Sequence, residues 1–417
     1  MIGLLGRKLV HSYSPEIHKM LSGEQYHLIE KEENQLDDFF RERNFKFISV
    51  TLPYKEKVIK YLDELDESAK MIGCVNTIIN KDGHLTGYNT DAYGFESLLR
   101  YNRIDIKNKK VLILGSGATS KTVKNVLLKL KAKEVYVVSR TPNKNAISYE
   151  RAQEIFDIDV IVNTTPVGMY PNEDSEVIID VQKFPYLESV IDVVYNPLNT
   201  KLLINARIKG CKTANGLYML VAQAARVYEI LNGEKVKKEK IEEVYFKLLL
   251  NHNNLILIGM PSVGKTTAAR NIARELNKEH IDTDKEIENV YSMLPGEIIT
   301  QKGVEFFRKI ETNIIKQLSL KKGVVISVGG GTLLDEENVR MLLRNGYMIF
   351  LNRSIELLKL NKNSYKTRPL LTDPEAFDEL FAKRYEIYKK CSDYEYCNNG
   401  SSKETYLYLL KKMRITK

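Results

Sequence analysis

The sequence predicts an α/β protein that contains more than one domain. Strand-like and helix-like stretches alternate along the chain, which is typical of parallel sheets joined by crossover helices. The chain has 417 residues, more than one ordinary hydrophobic core supports. Glycine-rich turns at 115–120 and 259–266 each follow an apolar strand and precede a helix. We therefore expect parallel sheets whose strand ends carry phosphate-binding turns.

The composition favours small anionic ligands over nucleic acids or membranes. The net charge is +9, but basic and acidic residues are mixed, as in the stretch 234–243. Hydrophobic residues make up 43% of the chain, and no apolar run approaches the length that crosses a bilayer. The cysteines at 74, 211, 391 and 397 lack the spacing of a zinc or redox site. We expect a cytoplasmic protein with small-molecule partners, and the sequence leaves its oligomeric state open.

The first half of the chain is predicted to contain several strands and a βαβ unit. The first residues are expected to form a strand rather than a secretory signal. Phe45–Val50 is strand-like and leads through a turn at Pro53 into a helix. Lys110–Leu114 and Glu134–Val138 are strands on either side of a helix near 119–130, which makes a βαβ unit.

The boundary between the two halves is expected near residue 252. Asn215–Leu231 is a long helix, and a charged helix then runs to about Asn251. The polar stretch 252–254 is a short break, after which Leu255–Ile258 starts a new strand.

The turn that follows this strand, residues 259–266, matches the pattern G-x-x-x-x-G-K-[ST], and we call it the phosphate loop. Its glycines let backbone N–H groups face phosphate oxygens, and the following helix adds the positive end of its dipole. Lys265 is expected to reach the outer phosphates of ATP, and Thr266 to ligate Mg²⁺. The alternative is an ordinary strand–helix turn, which the complete motif disfavours. The residues assigned to the nucleotide are Gly259, Gly264, Lys265, Thr266 and Thr267.

Three later stretches are expected to face the phosphate loop. Asp282 and Asp284 are spaced to lie on one side of a strand, one near the metal and one orienting a substrate hydroxyl. The alternative is a pair of loop or helix-cap aspartates. Arg308 lies in a helical pattern, where an exposed arginine is common. Gly329–Gly331 follow the buried strand Val324–Val328, which predicts either a backbone-only ligand surface or a flexible turn.

Together these motifs resemble shikimate kinase over about residues 254–417. The matching motifs are the phosphate loop, D-T-D, F-R-x-x-E, G-G-G, the R-P-L-L lid at Arg368–Leu371 and the later Lys383-Arg384. The resemblance implies that Lys265 and Thr266 handle ATP and Mg²⁺, with Asp282 on the metal side. It also implies that Asp284 binds the hydroxyl that is phosphorylated.

The same resemblance implies how the substrate carboxylate and the phosphates are held. Arg308 and Arg384 would clamp the carboxylate beside Gly329, Gly330 and Gly331, and Arg368 would close over the phosphates. The family's lid usually carries an arginine that stacks on adenine. This chain has Leu360-Asn-Lys-Asn-Ser-Tyr-Lys there, so Lys362 or Tyr365 is expected to substitute.

The βαβ unit of the first half carries a candidate dinucleotide site. A G-x-G turn lies between its first strand and its helix, as such a site requires. The second strand ends at a neutral residue followed by Arg140, with Lys144 nearby, which favours the 2′-phosphate of NADP over the free ribose of NAD. The alternative is a solvated arginine at the strand end. The residues assigned to NADP(H) are Gly115, Ser116, Gly117, Ala118, Thr119, Ser139, Arg140, Thr141 and Lys144.

Several polar residues before this unit have no evident structural role. Ser14 precedes Pro15 and is expected to cap a helix, whereas Ser12 has no such role. Lys55 is expected in the first turn of a helix, where its charge opposes the helix dipole at a cost of a few tenths to about one kcal/mol. Asp91 is either a helix cap or a working carboxylate, and a buried Asn76 needs hydrogen-bond partners that a substrate hydroxyl could supply.

These stretches resemble shikimate dehydrogenase over about residues 1–250. The matching motifs are S-x-S-P, V-T-x-P-x-K, V-N-T, N-T-D and the late N-x-G-L-x-M-L-V-x-Q. The resemblance implies that Lys55 and Asp91 are the catalytic pair in the NADPH-dependent reduction of 3-dehydroshikimate. It implies a substrate-binding set of Ser12, Ser14, Thr51, Asn76, Gln223 and Tyr195. The family commonly has Asn at the position of Ser49.

The two resemblances imply a bifunctional enzyme that makes shikimate and then phosphorylates it. They divide the chain into a dehydrogenase-like part, 1–252, and a kinase-like part, 253–417. In the first part, a substrate lobe comprises about 1–100 and 215–250, and a Rossmann-type NADP lobe comprises about 101–214. One alternative is a regulatory protein that binds shikimate-like ligands without turnover. Another is an enzyme that acts on quinate or uses NAD.

Overall fold

The computed structural model describes residues 1–9, 12–359 and 374–415, with the backbone alone at 374–377. The chain folds into two compact units. The first contains Met1–Asn196 and Thr200–Leu248, and the second contains Pro197–Asn199 and Leu249–Lys417. Helices alternate with strands in both units, as expected of an α/β protein. Within the described ranges, no helix combines the length and the apolar character needed to span a membrane.

The N-terminal sheet of the first unit has six strands in the order β2-β1-β3-β5-β6-β4. The strands are β1 (Ile2–Gly6), β2 (His27–Glu30), β3 (Phe47–Val50), β4 (Glu64–Leu65), β5 (Thr77–Lys81) and β6 (His84–Tyr88). The strands β1, β2 and β3 pair in parallel, whereas β5 is antiparallel to β3 and β6. The β5–β6 hairpin turns on Asp82 and Gly83, whose φ angles of 53° and 87° suit a two-residue hairpin turn.

The N-terminal sheet is covered on both faces. Neighbouring residues of β3 point to opposite sides and therefore contribute to two different cores. Phe47 packs with Tyr26 and Tyr228 on one face, and Ile48 packs with Phe40 and other apolar side chains on the other. The helices between residues 14 and 252 are α1 (Ser14–Ser22), α2 (Leu36–Glu42), α3 (Glu67–Ile72), α4 (Thr90–Tyr101), α5 (Ala118–Lys129), α6 (Tyr149–Ala152), α7 (Lys201–Lys209), α8 (Leu217–Asn232) and α9 (Lys238–His252).

The second sheet of the first unit has five parallel strands in the order β11-β10-β9-β7-β8. The strands are β7 (Lys110–Leu114), β8 (Glu134–Val138), β9 (Val160–Asn163), β10 (Ser189–Asp192) and β11 (Lys212–Asn215). The chain moves from β7 to β8 on one side and then returns to β9 on the other. Ligands of such sheets bind at the carboxyl ends of the strands where the order reverses, which is the end of β7.

The second unit contains one parallel sheet of five strands in the order β13-β14-β12-β15-β16. The strands are β12 (Asn254–Ile258), β13 (His280–Asp282), β14 (Val325–Ser327), β15 (Gly346–Asn352) and β16 (Tyr394–Cys397). The order reverses around the central strand β12, whose carboxyl end leads into the phosphate loop. The helices are α10 (Lys265–Leu276), α11 (Thr283–Tyr291), α12 (Pro295–Lys302), α13 (Val304–Leu318), α14 (Glu336–Arg344), α15 (Ile355–Lys359), α16 (Pro374–Cys391) and α17 (Ser402–Lys412).

Candidate active sites

Lys55 and Asp91 form an ion pair in the first unit. Lys55 Nζ lies 2.6 Å from Asp91 Oδ2, and the two side chains are only 12% and 11% exposed. Asp91 is not the cap of α4, because the side chain of Asn89 accepts the N–H of Ala92 and fills that role. Water competes weakly for a pair buried to this extent, so the two groups hold one geometry. Such a pair can hold an ammonium donor beside a reacting oxygen.

The expected helical position of Lys55 is wrong. The helix that follows is a 3₁₀ helix at Lys57–Tyr61 capped by Glu56, so Lys55 precedes it. The carbonyl of Lys55 accepts the N–H of Val75 at 2.8 Å, which ties this turn to the segment that enters β5. The contact with Asp91, rather than a helix dipole, therefore marks Lys55 as a candidate for catalysis.

Asn76 and Gln223 meet in a buried polar cluster. The Asn76 amide donates to Thr90 Oγ1 at 2.9 Å and to Gln223 Oε1 at 3.4 Å, and Asn76 Oδ1 accepts the N–H of Thr90 at 2.7 Å. Asn76 and Gln223 are 3% and 7% exposed. Gln223 lies on α8 and Thr90 on α4, so the cluster depends on how closely these two helices pack. Thr90 is a member that the sequence reasoning missed, although it lies within the N-T-D motif.

Gly94 permits that close packing. A β-carbon at Gly94 would lie 2.7 Å from the carbonyl oxygen of Met219 and 3.0 Å from Cβ of Gln223. The first distance is shorter than a carbon atom tolerates and the second is tighter than most carbon contacts, so glycine allows α4 and α8 to cross this closely.

Ser12, Ser14 and Tyr195 lie around the start of α1. The expected capping role of Ser14 is wrong, because α1 begins at Ser14 and Tyr13 occupies the cap position, where its side chain makes no capping hydrogen bond. The N–H of Ser14 instead donates to Ser12 Oγ at 3.2 Å. The rings of Tyr13 and Tyr195 lie 5.1 Å apart, which brings Tyr195 to this segment. Burial raises the pKa of Tyr195, so its hydroxyl stays protonated at neutral pH.

Thr51 lies at the carboxyl end of β3. Its N–H donates to the carbonyl of Leu5 at 2.9 Å, and a β-carbon at Gly6 would lie 2.7 Å from its methyl group. The structure therefore fixes Thr51 beside the end of β1, on the same turn that carries Lys55.

The dinucleotide turn follows β7, where the strand order reverses. Gly115 has a φ of 105°, and a β-carbon there would lie 2.9 Å from Thr164 Oγ1 and from Thr165 Cγ2. Gly117 caps α5 without a side-chain partner, and a β-carbon there would meet no atom within 4 Å. The turn is thus closed behind Gly115 and open in front of the helix N-terminus. That shape suits a pyrophosphate.

The loop after β9 completes this turn, and the sequence reasoning did not find it. The side chain of Asn163 accepts the N–H of Thr165 at 3.0 Å and donates to Asp192 Oδ1 at 3.0 Å. Burial raises the pKa of Asp192 to about 6, and its Oδ2 accepts the Thr200 hydroxyl at 2.7 Å. The N-T-T sequence at 163–165 was the available signal.

The end of β8 presents a neutral and basic surface. Ser116 Oγ donates to Ser139 Oγ at 3.2 Å, which joins the glycine turn to this strand end. Ser139 Oγ also accepts the N–H of Thr141 at 3.2 Å. Arg140 and Lys144 are exposed. A bound 2′-phosphate would meet cations here rather than a carboxylate, and this fits NADP.

The phosphate loop of the second unit has the backbone that its motif predicts. Gly259 and Gly264 have φ angles of 142° and 97°, and a β-carbon at Gly259 would collide with the carbonyl of Leu351. Lys265 is buried, and its Nζ donates to the carbonyls of Gly259 and Met260 at 2.8 and 2.9 Å. Thr267 is exposed on the first turn of α10.

Asp282 lies beside Thr266, whose hydroxyl donates to Asp282 Oδ2 at 2.7 Å. Hydroxyl and carboxylate oxygens suit Mg²⁺ as direct or water-mediated ligands. The expectation that Asp282 and Asp284 share one side of a strand is wrong, because β13 ends at Asp282 and α11 begins at Thr283. Asp282 caps that helix through the N–H groups of Asp284 and Lys285, at 3.1 and 3.2 Å.

Asp284 nevertheless faces Gly329–Gly331, which we call the glycine surface. A β-carbon at Gly329 would lie 3.0 Å from Asp284 Oδ1, and one at Gly331 would lie 2.8 Å from Cζ of Arg308. A β-carbon at Gly330 would lie 3.1 Å from Nη1 of Arg384. The structure therefore gathers two guanidinium groups and the carboxylates of Asp284 and Glu311 around bare backbone, and Glu311 is paired with Arg308. This arrangement is suited to a hydroxylated acid.

The two arginines differ in their partners. Arg308 forms an ion pair with Glu311, and Glu311 also accepts the Thr332 hydroxyl at 2.7 Å. Arg384 is 4% exposed, and its Nε has no hydrogen-bond partner among the described residues. Burial, helped by the charge of Arg308, lowers the pKa of Arg384. A ligand carboxylate would relieve that cost.

One further residue, Tyr388, contacts the glycine surface. Tyr388 donates its hydroxyl to the carbonyl of Gly330, and burial raises its pKa to about 12. The sequence reasoning did not single out Tyr388. Arg368, with the candidate adenine contacts Lys362 and Tyr365, lies outside the described residues.

Two family models match this chain. The model of the shikimate dehydrogenase substrate-binding domain matches residues 4–78, and that of shikimate kinase matches residues 261–414. The matched ranges include Lys55 and Asn76 in the first unit, and Lys265, Asp284 and Arg384 in the second.

Individual relatives cover the first part of the chain. The shikimate dehydrogenase (NADP(+)) of Clostridium perfringens is 40% identical over 268 residues, covering 60% of this chain and 98% of the relative. The structure of shikimate dehydrogenase 1 from Peptoclostridium difficile has a TM-score of 0.56 at 35% identity, covering 59% of this chain and 97% of that one. A Thermus thermophilus shikimate 5-dehydrogenase in complex with NADP(H) and shikimate has a TM-score of 0.54 at 31% identity, with coverages of 59% and 98%. This chain therefore belongs to the shikimate dehydrogenase family, and it carries a shikimate kinase domain in its second unit.

Proposed function

We propose that this chain is a bifunctional enzyme of the shikimate pathway. Its first part reduces 3-dehydroshikimate to shikimate with NADPH, and its second part phosphorylates shikimate to shikimate 3-phosphate with ATP. The single observation that carries the proposal is that both candidate catalytic groups are intact in one chain. Lys55 is paired with Asp91 at 2.6 Å, and Asp284, Arg308 and Arg384 all face the glycine surface.

The proposed reduction depends on the Lys55–Asp91 pair. NADPH, when bound, supplies the hydride. As the carbonyl oxygen of the substrate gains negative charge, the ammonium group of Lys55 stabilises it and donates a proton. Asp91 keeps Lys55 charged and oriented, and it would hold the hydroxyl in line. Ser12 and Ser14 would bind the substrate carboxylate, while Thr51, Asn76, Gln223 and Tyr195 would hold the ring hydroxyls.

The dinucleotide turn fits NADP(H). The open side of Gly117 leaves the N-terminus of α5 free for the pyrophosphate, and Arg140, Thr141 and Lys144 would hold the 2′-phosphate. The relatives named for NADP(+) support this cofactor.

The proposed phosphoryl transfer uses Asp284 as the base that orients the substrate hydroxyl. Arg308 and Arg384 would hold the substrate carboxylate as bidentate partners. Lys265 would turn from its loop carbonyls to the outer phosphates, and Arg368 would neutralise charge in the transition state. Thr266 and Asp282 are the groups that would hold Mg²⁺, which would neutralise phosphate charge when bound.

The proposed domain limits are 1–252 for the dehydrogenase and 253–417 for the kinase. The proposed partners are small molecules, namely 3-dehydroshikimate, shikimate, NADP(H) and ATP. Neither nucleic acid nor a membrane is part of the proposal.

The test is to supply the full-length chain with 3-dehydroshikimate, NADPH, ATP and Mg²⁺ and to identify the products over time. We expect NADPH oxidation and the accumulation of shikimate 3-phosphate, with shikimate accumulating when ATP is omitted. Lys55→Ala should abolish the reduction and leave phosphorylation of added shikimate intact, and Lys265→Ala should do the reverse. Binding of shikimate without turnover in either assay would instead favour the regulatory alternative.

A further inference from the structure

A chain of hydrogen bonds leads from His280 to the phosphate loop of the second unit. His280 Nε2 lies 3.0 Å from Ser327 Oγ. The Ser327 hydroxyl donates to Asp282 Oδ2 at 2.7 Å, and the same oxygen accepts the Thr266 hydroxyl at 2.7 Å. His280 is thus connected to the proposed metal site through a single intervening side chain.

The sheet register explains why these side chains meet. In the parallel pair β13–β14, Asp282 lies opposite Ser327. His280 precedes Asp282 by two residues, so both side chains point to the same face of the strand. Ser327 is 1% exposed, and water is therefore poorly placed to replace a partner that it loses.

The number of protons available determines which group donates in each of these hydrogen bonds. A serine hydroxyl has one proton, and that of Ser327 is directed at Asp282. Ser327 Oγ can then only accept from His280, so Nε2 of His280 carries a proton. The imidazole N–H therefore fixes the direction in which the serine hydroxyl donates.

We propose that His280 is a positioning residue for phosphoryl transfer, which holds the Ser327 hydroxyl on Asp282 and thereby fixes the carboxylate beside Thr266. Asp282 has to keep one orientation while it serves the metal side, because its other oxygen also caps α11 through Asp284 and Lys285. His280 is not among the residues assigned to the substrate or the nucleotide, and its proposed role is exerted through Ser327. The inference rests on the proposed kinase activity.

The test compares His280→Phe, which removes the donor, with His280→Gln, whose amide N–H can replace it. The first readout is calorimetric: the affinity of the full-length chain for ADP is measured with saturating Mg²⁺ and with a chelator. We expect His280→Phe to reduce the gain in ADP affinity from Mg²⁺ about fivefold, the worth of one hydrogen bond, and His280→Gln to stay within about twofold of the unsubstituted chain. The Mg²⁺ concentration for half-maximal phosphorylation of shikimate should rise by a similar factor in His280→Phe.

A double-mutant cycle tests whether His280 acts through Ser327. Ser327→Ala should reduce the Mg²⁺ effect on ADP affinity, and adding His280→Phe to Ser327→Ala should cost nothing more. NADPH oxidation by the first unit of the same molecules is the internal control for folding and concentration.

Three results would overturn the role of His280. They are an unchanged Mg²⁺ effect in His280→Phe, equal losses in His280→Phe and His280→Gln, and additive losses in the double variant. Failure of the unsubstituted chain to phosphorylate shikimate would refute the proposed kinase function instead. In that case the calorimetric cycle would still decide whether His280 positions Asp282.

Discussion

His18→Phe should remove much of the acid sensitivity of the first unit. His18 lies on α1, is 1% exposed and stacks on Tyr26 with ring centroids 3.9 Å apart. Its Nδ1 lies 2.9 Å from the Tyr228 hydroxyl. Burial lowers the pKa of His18 to about 3, so the folded protein holds this ring neutral over most of the acid range.

The magnitude follows from the difference between the folded and unfolded pKa of this ring. An unfolded histidine has a pKa of about 6.5. Because the folded pKa is lower, the stabilisation is full above pH 6.5 and is lost as the pH falls toward 3. As the pH falls from 7.5 to 5.0, the excess of protons bound by the unfolded chain at this ring rises from about 0.1 to nearly one. Summed over the interval, this lowers the unfolding free energy by about 2 kcal/mol.

The assay is hydrogen exchange of peptides from α1 and α8 in urea, read by mass spectrometry on the full-length chain at pH 7.5 and 5.0. The unfolding free energy of the unsubstituted chain should fall by about 2 kcal/mol more than that of His18→Phe over this interval. The difference between the two proteins is the quantity to compare, because the loss of the Tyr228 contact lowers the stability of His18→Phe at both pH values. His84→Gln, at an exposed histidine, is the matched control. Equal pH dependence in His18→Phe and the unsubstituted chain would refute the reasoning.

Four further substitutions test the two sites. Asp91→Asn should lower kcat for 3-dehydroshikimate reduction by about 100-fold or more with the kinase rate unchanged; a loss below about tenfold in steady-state assays would contradict the catalytic pair. Gly331→Ala should raise the kinase KM for shikimate about tenfold, because its β-carbon would lie 2.8 Å from Cζ of Arg308; an unchanged KM would exclude the glycine surface as the substrate site. Gly94→Ala should destabilise the first unit by about 1–3 kcal/mol in urea titrations, because its β-carbon would meet the Met219 carbonyl at 2.7 Å, and unaltered stability would mean that α4 and α8 can separate at no cost. Arg140→Ala should lower the preference for NADPH over NADH in kcat/KM about tenfold, whereas an unaltered ratio would identify Arg140 as a solvated surface residue.

Motifs that prescribe a backbone geometry were predicted best from the sequence. The strands Lys110–Leu114 and Glu134–Val138 have the predicted bounds. The glycine turns have positive φ at Gly115, Gly259 and Gly264. At Gly115 and Gly259, the close approach of other atoms also leaves little room for a side chain. In these cases, a few consecutive residues are enough to determine the backbone conformation.

Residues at helix starts were predicted less well. Ser14 and Lys55 each lie one or two residues from the expected position relative to the neighbouring helix. Asp284 lies on α11 rather than on the strand, which ends at Asp282. Which residue caps a helix depends on its backbone angles and on partners elsewhere, and a sequence pattern does not determine either to within one residue. The Asp82-Gly83 hairpin is different, because the dipeptide is a strong turn signal that was available and was not used.

Clusters formed by distant segments lay beyond the sequence patterns. Asn76 and Gln223 are 147 residues apart, and their hydrogen bond joins the segment before β5 to α8. Thr90 joins the same cluster from α4, so the cluster requires α4 and α8 to pack closely. Composition and periodicity predict that each helix has a buried face but not which residues meet there. The glycine at position 94 was the only local sign of that contact in the sequence. The reason for a glycine there is evident only in the structure, where the carbonyl of Met219 lies opposite it.

One continuous polypeptide carries both units, and this fixes the stoichiometry of the two proposed catalysts at one to one. A cell cannot then adjust their ratio by transcription or by unequal turnover of two gene products. The balance between forming shikimate and consuming it has to be set by the rate constants of the two sites. Selection for a change in one rate constant would therefore alter the selection on the other.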